Sequence, residues 1–216
     1  MPLKFFVGVD LGQANDYTAI SVLERLELEK GRKEHVYHIR HLERIRGEPY
    51  PVIVTKIMQM MHSPMLKDNA ELVIDQTGCG RPVFDMFQAA RLDAIGVSIH
   101  GGDNVSHEGR NWRVPKRDLV GCLQVLLQSG RFKVASELTL GPVLQQEMMS
   151  FRVKIDPATA HDSYSAWREQ DHDDLVLSAA LAAWWGEQHA DREVLTFSTV
   201  PICRPYPTKP INYWPL

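Results

Sequence analysis

Acidic residues end two apolar segments of this chain, in positions where an unpartnered carboxylate would be costly. Asp10 ends the run FFVGVD, and Asp75 ends LVID before the glycine-rich turn QTGCG. Another acidic pair, Asp173 and Asp174, opens an alanine- and leucine-rich segment. Carboxylates that are brought together repel one another, and a hard divalent cation such as Mg²⁺ or Mn²⁺ relieves that repulsion. The four aspartates together predict a metal site.

Each acidic position also has a simpler explanation when it is taken alone. An aspartate at the end of a strand commonly forms a turn, which would account for Asp10 or Asp75. Asp173 or Asp174 could cap a helix or stabilise its first turn. In the doubled aspartate, one residue could cap while the other binds metal, and the sequence does not choose between them. The joint occurrence of all four favours the metal site.

Hydrophobic periodicity predicts the elements that would carry these aspartates. Short polar turns between the first three strands indicate antiparallel pairing, and the later alternation of helices and strands indicates a parallel, helix-covered sheet. A polar loop is expected next, followed by helices and one short strand. The predicted strands cover residues 4–10, 17–27, 35–45, 70–75, 94–99 and 150–155, the helices 51–63, 83–90, 116–129, 138–150 and 172–185, and the loop 100–113.

This order of elements resembles the topology of ribonuclease H-like folds. We therefore expect an α/β domain with a mixed sheet of five or more strands, the first three antiparallel, and helices on both faces. In such a sheet the first and fourth strands are neighbours, and a late helix can place its N-terminus beside them. The domain is expected to span residues 1–190, and the proline-rich tail, 191–216, is expected to be irregular or disordered.

The net charge of the chain implies that any contact with nucleic acid would involve only a local basic patch. The 216 residues carry a formal net charge of −3, whereas a protein that coats duplex DNA is usually basic. A basic segment could bind phosphates without reading sequence, or could be a solvated loop. Arg81, after the glycine-rich turn, is a weaker candidate. The basic residues of the segment 107–117 are Arg110, Arg113, Lys116 and Arg117, with Trp112 between them.

Cysteine usage and hydropathy suggest a compartment. Cys79, Cys122 and Cys203 are far apart and form no CxxC pair, which favours a reducing environment. The N-terminus does not resemble a signal peptide, and no apolar run approaches the roughly 20 residues of a bilayer span. We expect a soluble, cytoplasmic protein with no membrane partner.

Four segments resemble, in order and rough spacing, the motifs of the nuclease domain of phage and prophage terminase large subunits. They are GVDLGQANDYTAI (8–20), LVIDQTGCGRPVFD (72–85), VPKRDLVGCLQVLLQSGRFKV (114–134) and HDDLVLSAALAAWW (172–185). The resemblance runs from about Phe5 to Gly186. It implies a ribonuclease H-like, metal-dependent endonuclease that cuts concatemeric viral DNA during genome packaging in the bacterial host cell.

The resemblance also implies roles for individual residues. Asp10, Asp75 and one or both of Asp173 and Asp174 would bind metal, and two Mg²⁺ or Mn²⁺ ions are expected. Such a pair, about 4 Å apart, activates the attacking water and steadies the leaving oxygen of a phosphodiester. His172 could touch a metal, a water or a phosphate, or could simply face solvent.

Partners follow from the same resemblance. Double-stranded DNA would be the substrate, with Lys116 near its path. A separate terminase ATPase, a small subunit or a portal protein could assemble with the chain. The sequence contains no GxxxxGK[ST] motif, so the ATPase motor of these subunits is not implied. The chain would be a nuclease half, a split gene product or a fragment.

Two other functions remain open from the sequence. A nuclease that resembles Holliday-junction resolvases would prefer branched DNA and act as a dimer. A prophage remnant could instead keep the fold and bind DNA or a packaging partner without cutting, with the proline-rich tail as a docking segment.

Overall fold

A computed structural model describes residues 4–12, 16–27, 34–77, 80–154 and 173–189 of the chain. Eight strands and five helices lie within these ranges. The strands are β1 (Lys4–Asp10), β2 (Tyr17–Glu27), β3 (His35–Arg46), β4 (Ala70–Asp75), β5 (Ala94–His100), β6 (Ser106–Glu108), β7 (Asn111–Pro115) and β8 (Phe132–Val134). The helices are α1 (Tyr50–Met61), α2 (Gly80–Ala89), α3 (Lys116–Gln128), α4 (Gly141–Lys154) and α5 (Asp174–Gln188).

The strands form one mixed sheet in the order β6-β7-β5-β4-β1-β2-β3-β8. Strands β1, β2 and β3 are antiparallel neighbours, whereas β1, β4, β5 and β7 run parallel to one another. The expected antiparallel start and the mixed sheet are therefore confirmed, and the sheet has eight strands. The first and fourth strands are direct neighbours.

Helices cover both faces of the sheet and divide the core in two. One cluster joins side chains of α3, α4 and α5 to one face, with Phe6 and Val73 among the strand residues. The other joins α1 and α2 to the opposite face, where Val9 and Ile74 point. Successive strand residues face opposite sides, and both sides are covered, so the central strands read as nearly continuous apolar runs.

Helix α5 packs unusually close to β1. A Cβ atom added at Gly8 would lie 1.9 Å from the carbonyl oxygen of Ser178, so only glycine fits there. The Ser178 hydroxyl also lies 2.6 Å from the hydroxyl of Ser21 on β2. Small side chains on both partners allow this contact, which sets the helix across the central strands and brings its first turn towards the end of β1.

Two local predictions were wrong, and one strand was not predicted. The expected polar loop 100–113 contains the hairpin β6–β7, which turns at Gly109 with φ +58°. Its strands are short and largely exposed, so they lack an alternating apolar signal. Residues 150–154 continue α4 instead of forming a strand, because a few alternating residues do not outweigh an established helix. The short strand β8 was missed.

None of the helices in the described ranges is long and apolar enough to span a bilayer. The predicted proline-rich tail, 191–216, lies outside the described residues.

Candidate active site

Asp10 and Asp75 end neighbouring parallel strands side by side. The pairing of β1 with β4 makes their Cα atoms direct partners. On β1, Asp10 lies an even number of residues from Phe6, and on β4, Asp75 lies an even number of residues from Val73. The side chains of Phe6 and Val73 enter the core beneath α5. Because side chains alternate along a strand, both carboxylates belong to the α5 face of the sheet. This is the adjacency that the predicted topology required.

Asp75 is buried and is oriented by the turn that follows it. The Thr77 backbone N–H donates to Asp75 Oδ1 at 2.8 Å, and the Thr77 hydroxyl donates to the same oxygen. The hydroxyl oxygen of Thr77 in turn accepts a hydrogen bond from the Ile99 N–H at 2.7 Å. A chain of hydrogen bonds from β5 therefore sets the direction of the Asp75 carboxylate.

Asp173 and Asp174 stand at the start of α5, and each contacts a cation. Asp173 Oδ2 lies 3.3 Å from the Lys116 ammonium, at the first residue of α3. Asp174 Oδ2 accepts a hydrogen bond from the guanidinium of Arg44 on β3 at 2.8 Å. Asp173 occupies the capping position, yet its side chain makes no capping hydrogen bond with the described residues of α5. The helix-cap explanation of Asp173 is thus not what the structure shows.

The start of α5 is capped by a residue of α4. Glu147 Oε2 accepts hydrogen bonds from the backbone N–H groups of Leu175 at 3.0 Å and Val176 at 3.1 Å. Its other oxygen lies 3.5 Å from the Arg44 guanidinium. Burial is the main reason that the pKa of Glu147 rises to about 7, and the two N–H donors and Arg44 oppose that rise. No local motif in the sequence marks either Glu147 or Arg44.

Electrostatics join the four aspartates into one cluster. The pKa of Asp10 lies well above its usual value, first because its half-buried carboxyl group is largely desolvated. The carboxylates of Asp75, Asp174 and Asp173 raise it further, in that order of size, and Lys116 lowers it. Mutual repulsion of this kind is what a bound cation relieves, so the charge pattern fits a metal site.

The candidate ligand atoms suit a hard metal ion, but their side chains are not arranged around a single point. All candidate ligands are carboxylate oxygens, which select Mg²⁺ or Mn²⁺ rather than zinc. Within the described ranges, no three His, Cys, Asp or Glu side chains converge closely enough to hold a metal as they stand. Asp173 and Asp174 instead contact Lys116 and Arg44, so these two cations balance part of the acidic charge.

The predicted DNA-binding residues fall into different settings. Lys116 lies within the carboxylate cluster and not on an outer surface. Arg110 lies 2.7 Å from Asp93, and Arg117 lies 2.5 Å from Asp103, so acids outside the basic segment neutralise both. The remaining candidates are Arg113, which is exposed on β7, and Arg81, whose backbone lies in α2 and whose side chain is not described. His172, the possible auxiliary residue of the site, lies outside the described residues.

Aromatic contacts fasten the β6–β7 hairpin to α5. The His107 and Trp112 rings stack across the hairpin with centroids 4.3 Å apart. Trp112 also makes edge-to-face contacts with Trp184 and Trp185, at centroid distances of 5.7 and 5.5 Å. The hairpin is thus packed against the C-terminal part of α5, whereas the aspartates lie at the start of this helix.

The sheet begins with antiparallel strands and continues with parallel ones, and acidic residues stand at the ends of β1 and β4. This arrangement is that of a ribonuclease H-like domain. The sequence pattern of the family described as the terminase RNaseH-like domain matches residues 7–183, and the chain belongs to this family. No curated protein matches the chain.

Solved structures show the same fold at low sequence identity. The large terminase nuclease from thermophilic phage G20c has a TM-score of 0.52 and 20% identity, over 88% of this chain and 83% of that one. The terminase nuclease domain of human cytomegalovirus, soaked with Mn, has a TM-score of 0.52 and 13% identity, over 85% and 83%. The large terminase of bacteriophage HK97 has a TM-score of 0.50 and 13% identity, and the match covers 86% of this chain but 40% of that protein.

Proposed function

We propose that this protein is a metal-dependent DNA endonuclease that cuts phosphodiester bonds by a two-metal mechanism during phage DNA packaging. The observation that carries the proposal is the cluster of four aspartates at the ends of β1 and β4 and the start of α5. Burial, and then repulsion within this cluster, raise the pKa of Asp10, as expected of a site built for cations. Membership of the terminase RNaseH-like family supports the assignment to packaging.

In this proposal Asp10, Asp75, Asp173 and Asp174 hold two Mg²⁺ or Mn²⁺ ions. Bound metal supplies a water activated for attack and stabilises charge on the leaving oxygen. The protein's own residues prepare the ligands: Thr77 orients Asp75 through its N–H and hydroxyl. Lys116 and Arg44 contact the aspartates of α5 and reduce the cost of holding four acids together. The Mn-soaked cytomegalovirus nuclease domain supports a divalent ion.

DNA binding would depend on a small number of basic residues. Arg113 is exposed on β7, so it is available for a phosphate contact. Its strand neighbours Trp112 and Val114 pack on the α5 face, so the Arg113 side chain lies on the face of the sheet opposite to the aspartates. Arg110 and Arg117 would have to exchange Asp93 and Asp103 for phosphates, so we expect smaller contributions from them. Lys116 would act inside the cluster, and Arg81 stays a candidate from the sequence.

The partners of the proposed enzyme would be those of a packaging machine. Double-stranded DNA is the substrate, and a terminase ATPase, a small subunit or a portal protein would deliver it.

Cleavage of supercoiled plasmid tests the proposal. The purified chain is incubated with Mg²⁺ or Mn²⁺, beside an EDTA control, an Asp75→Ala variant and an Asp85→Ala variant. Asp85 is exposed on α2 and serves as a matched loss of one carboxylate. We expect nicking and linearisation that require metal, vanish with Asp75→Ala and survive Asp85→Ala.

Absence of cleavage from folded protein, with either metal, would reject a stand-alone enzyme. Gel-shift binding of the same plasmid would then identify a DNA-binding module without the reaction. A four-way junction and a linear duplex are tested in parallel. Cleavage of the junction in place of the duplex would identify a resolvase-like preference.

A further inference from the structure

The residue that precedes helix α5 is of a type that normally caps a helix, but it does not cap this one. Aspartate at the position before the first helical turn normally accepts hydrogen bonds from the backbone N–H groups two and three residues later. Here the residue is Asp173, and those groups belong to Leu175 and Val176. Both donate to Glu147 Oε2 of α4, at 3.0 and 3.1 Å. Among the described residues, Glu147 therefore performs the capping that Asp173 could have performed.

Capping by Glu147 leaves the Asp173 carboxylate available for other contacts. A carboxylate that is bound to the first turn of its own helix points along that helix and is less available to a cation. Because Glu147 satisfies the two N–H groups, the Asp173 carboxylate lies beside Lys116 and within electrostatic reach of Asp10. The cap also ties the start of α5 to α4, so the position of the acidic pair depends on a second helix.

Glu147 reaches Asp174 by a second route. Its Oε1 atom lies 3.5 Å from the Arg44 guanidinium, which lies 2.8 Å from Asp174 Oδ2. The guanidinium also lies 4.0 Å from the centroid of the Tyr17 ring, a cation–π contact that holds it in place. The three charged side chains are nearly buried, with exposed fractions of 5% for Glu147, 12% for Asp174 and 14% for Arg44. Removing one member would leave the others incompletely paired.

We propose that Glu147 is a positioning residue of the proposed nuclease, which caps α5 in place of Asp173 and, through Arg44, holds Asp174 towards Asp10 and Asp75. The inference rests on the proposed function, because it assigns Glu147 to the same site. Glu147 itself would touch neither metal nor DNA. Its effect reaches the reaction through the geometry of the two aspartates.

The other end of α5 supplies a matched control. Glu187 forms an ion pair with Arg131 at 3.0 Å and accepts a hydrogen bond from the Tyr37 hydroxyl at 2.9 Å. Like Glu147, it joins α5 to neighbouring elements through a carboxylate. Twelve helical residues, about 18 Å, separate Glu187 from Leu175. A change at Glu187 should therefore cost stability without moving the aspartates.

The test compares Glu147→Ala, Glu147→Gln and Glu187→Gln in the full chain. Mn²⁺ affinity is measured by calorimetry, cleavage of a duplex oligonucleotide gives kcat and KM, and amide exchange reports on the first turn of α5. Residues that orient metal ligands typically change affinity or activity about 10–100-fold. We expect Glu147→Ala to lower kcat and Mn²⁺ affinity by that factor, with the KM for DNA changed less than about threefold.

Amide exchange and the conservative variant separate positioning from general destabilisation. In Glu147→Ala, the N–H groups of Leu175 and Val176 should exchange faster, whereas Glu187→Gln should leave them protected. Glu147→Gln keeps an oxygen that can accept both hydrogen bonds, so it should restore part of the Mn²⁺ affinity. Glu187→Gln should lower the melting temperature but keep kcat and Mn²⁺ affinity. If the alanine variant does not fold, the glutamine variants carry the comparison.

Three results would overturn the inference. The first is wild-type Mn²⁺ affinity in both Glu147 variants, and the second is an equal loss of Mn²⁺ affinity in Glu187→Gln. The third is a folded wild-type chain that binds no Mn²⁺. A wild type that binds Mn²⁺ but cuts no DNA would reject the proposed function alone, since the affinity measurements would still decide the role of Glu147.

Discussion

Replacing Asp10 with asparagine should stabilise the metal-free protein at neutral pH, although it removes a proposed metal ligand. Burial and the carboxylates of Asp75, Asp174 and Asp173 raise the pKa of Asp10 well above its usual value. The ionised form of Asp10 is therefore less favourable in the folded state than in the unfolded state. Asparagine has nearly the same shape and no charge, so it should remove the repulsion while it keeps the packing.

The size of the effect follows from the spacing of the strands. Asp10 and Asp75 are partners on adjacent strands, which lie about 4.8 Å apart. Two unit charges at that distance repel by roughly 3 kcal/mol at an effective dielectric constant of about 20. Lys116 offsets part of this, so we expect a net gain of about 1–3 kcal/mol. For a protein of this size, each kcal/mol raises the melting temperature by about 2–4 °C.

The gain should depend on pH in a defined direction. Below the unfolded pKa of about 4, both states hold the proton and the penalty in the wild type is absent. As the pH rises, the unfolded state releases the proton while folded Asp10 retains it, so wild-type stability falls relative to the variant. The difference should level off once the pH exceeds the raised pKa of folded Asp10.

Thermal melts between about pH 4 and pH 8, in EDTA, measure this difference. Asp85→Asn, on the exposed surface of α2, is the control and should follow the wild type. Added Mn²⁺ should reverse the order, because ligand that binds the folded state stabilises the wild type more than Asp10→Asn. The reasoning is refuted if Asp10→Asn is less stable than the wild type at neutral pH in EDTA, or if the difference does not change with pH.

Two further substitutions test the packing around the aspartates. Gly8→Ala would place a methyl group 1.9 Å from the Ser178 carbonyl oxygen, so α5 must shift; we expect a loss of about 1–3 kcal/mol in urea unfolding and weaker cleavage. Wild-type stability would show that β1 and α5 are not in such close contact. Thr77→Val removes the hydroxyl that links Asp75 to the Ile99 N–H, and should cost about 1–3 kcal/mol and lower Mn²⁺ affinity. Thr77→Ser keeps the hydroxyl and should restore both, and equal losses in the two variants would contradict this role.

Much of the fold was predictable because most elements carry a local signal. The strands β1, β2, β4 and β5 and the helix α3 lie within one residue of their predicted limits, and the helix α5 lies within three. Buried elements repeat apolar residues at their own period, and that period is visible without a partner. The β6–β7 hairpin was not predicted, because its strands are short and largely exposed and therefore carry no apolar period.

The candidate site was predictable only in part. Asp10 and Asp75 could be found because a carboxylate directly after an apolar strand is conspicuous in one dimension. Lys116 was expected on the DNA path, and the structure places it beside Asp173. Arg44 and Glu147 gave no signal, because an arginine in a strand and a glutamate in a helix are ordinary in the sequence.

The sequence by itself determined which segments become strands and helices and which acids stand at their ends. These properties depend on side-chain periodicity and on neighbours along the chain. Only the tertiary structure decided that Asp10 lies beside Asp75, that Arg44 pairs with Asp174 across 130 positions, and that Glu147 caps α5 from another helix. Such contacts depend on strand register and helix packing, in which distant residues meet because the whole core brings them together.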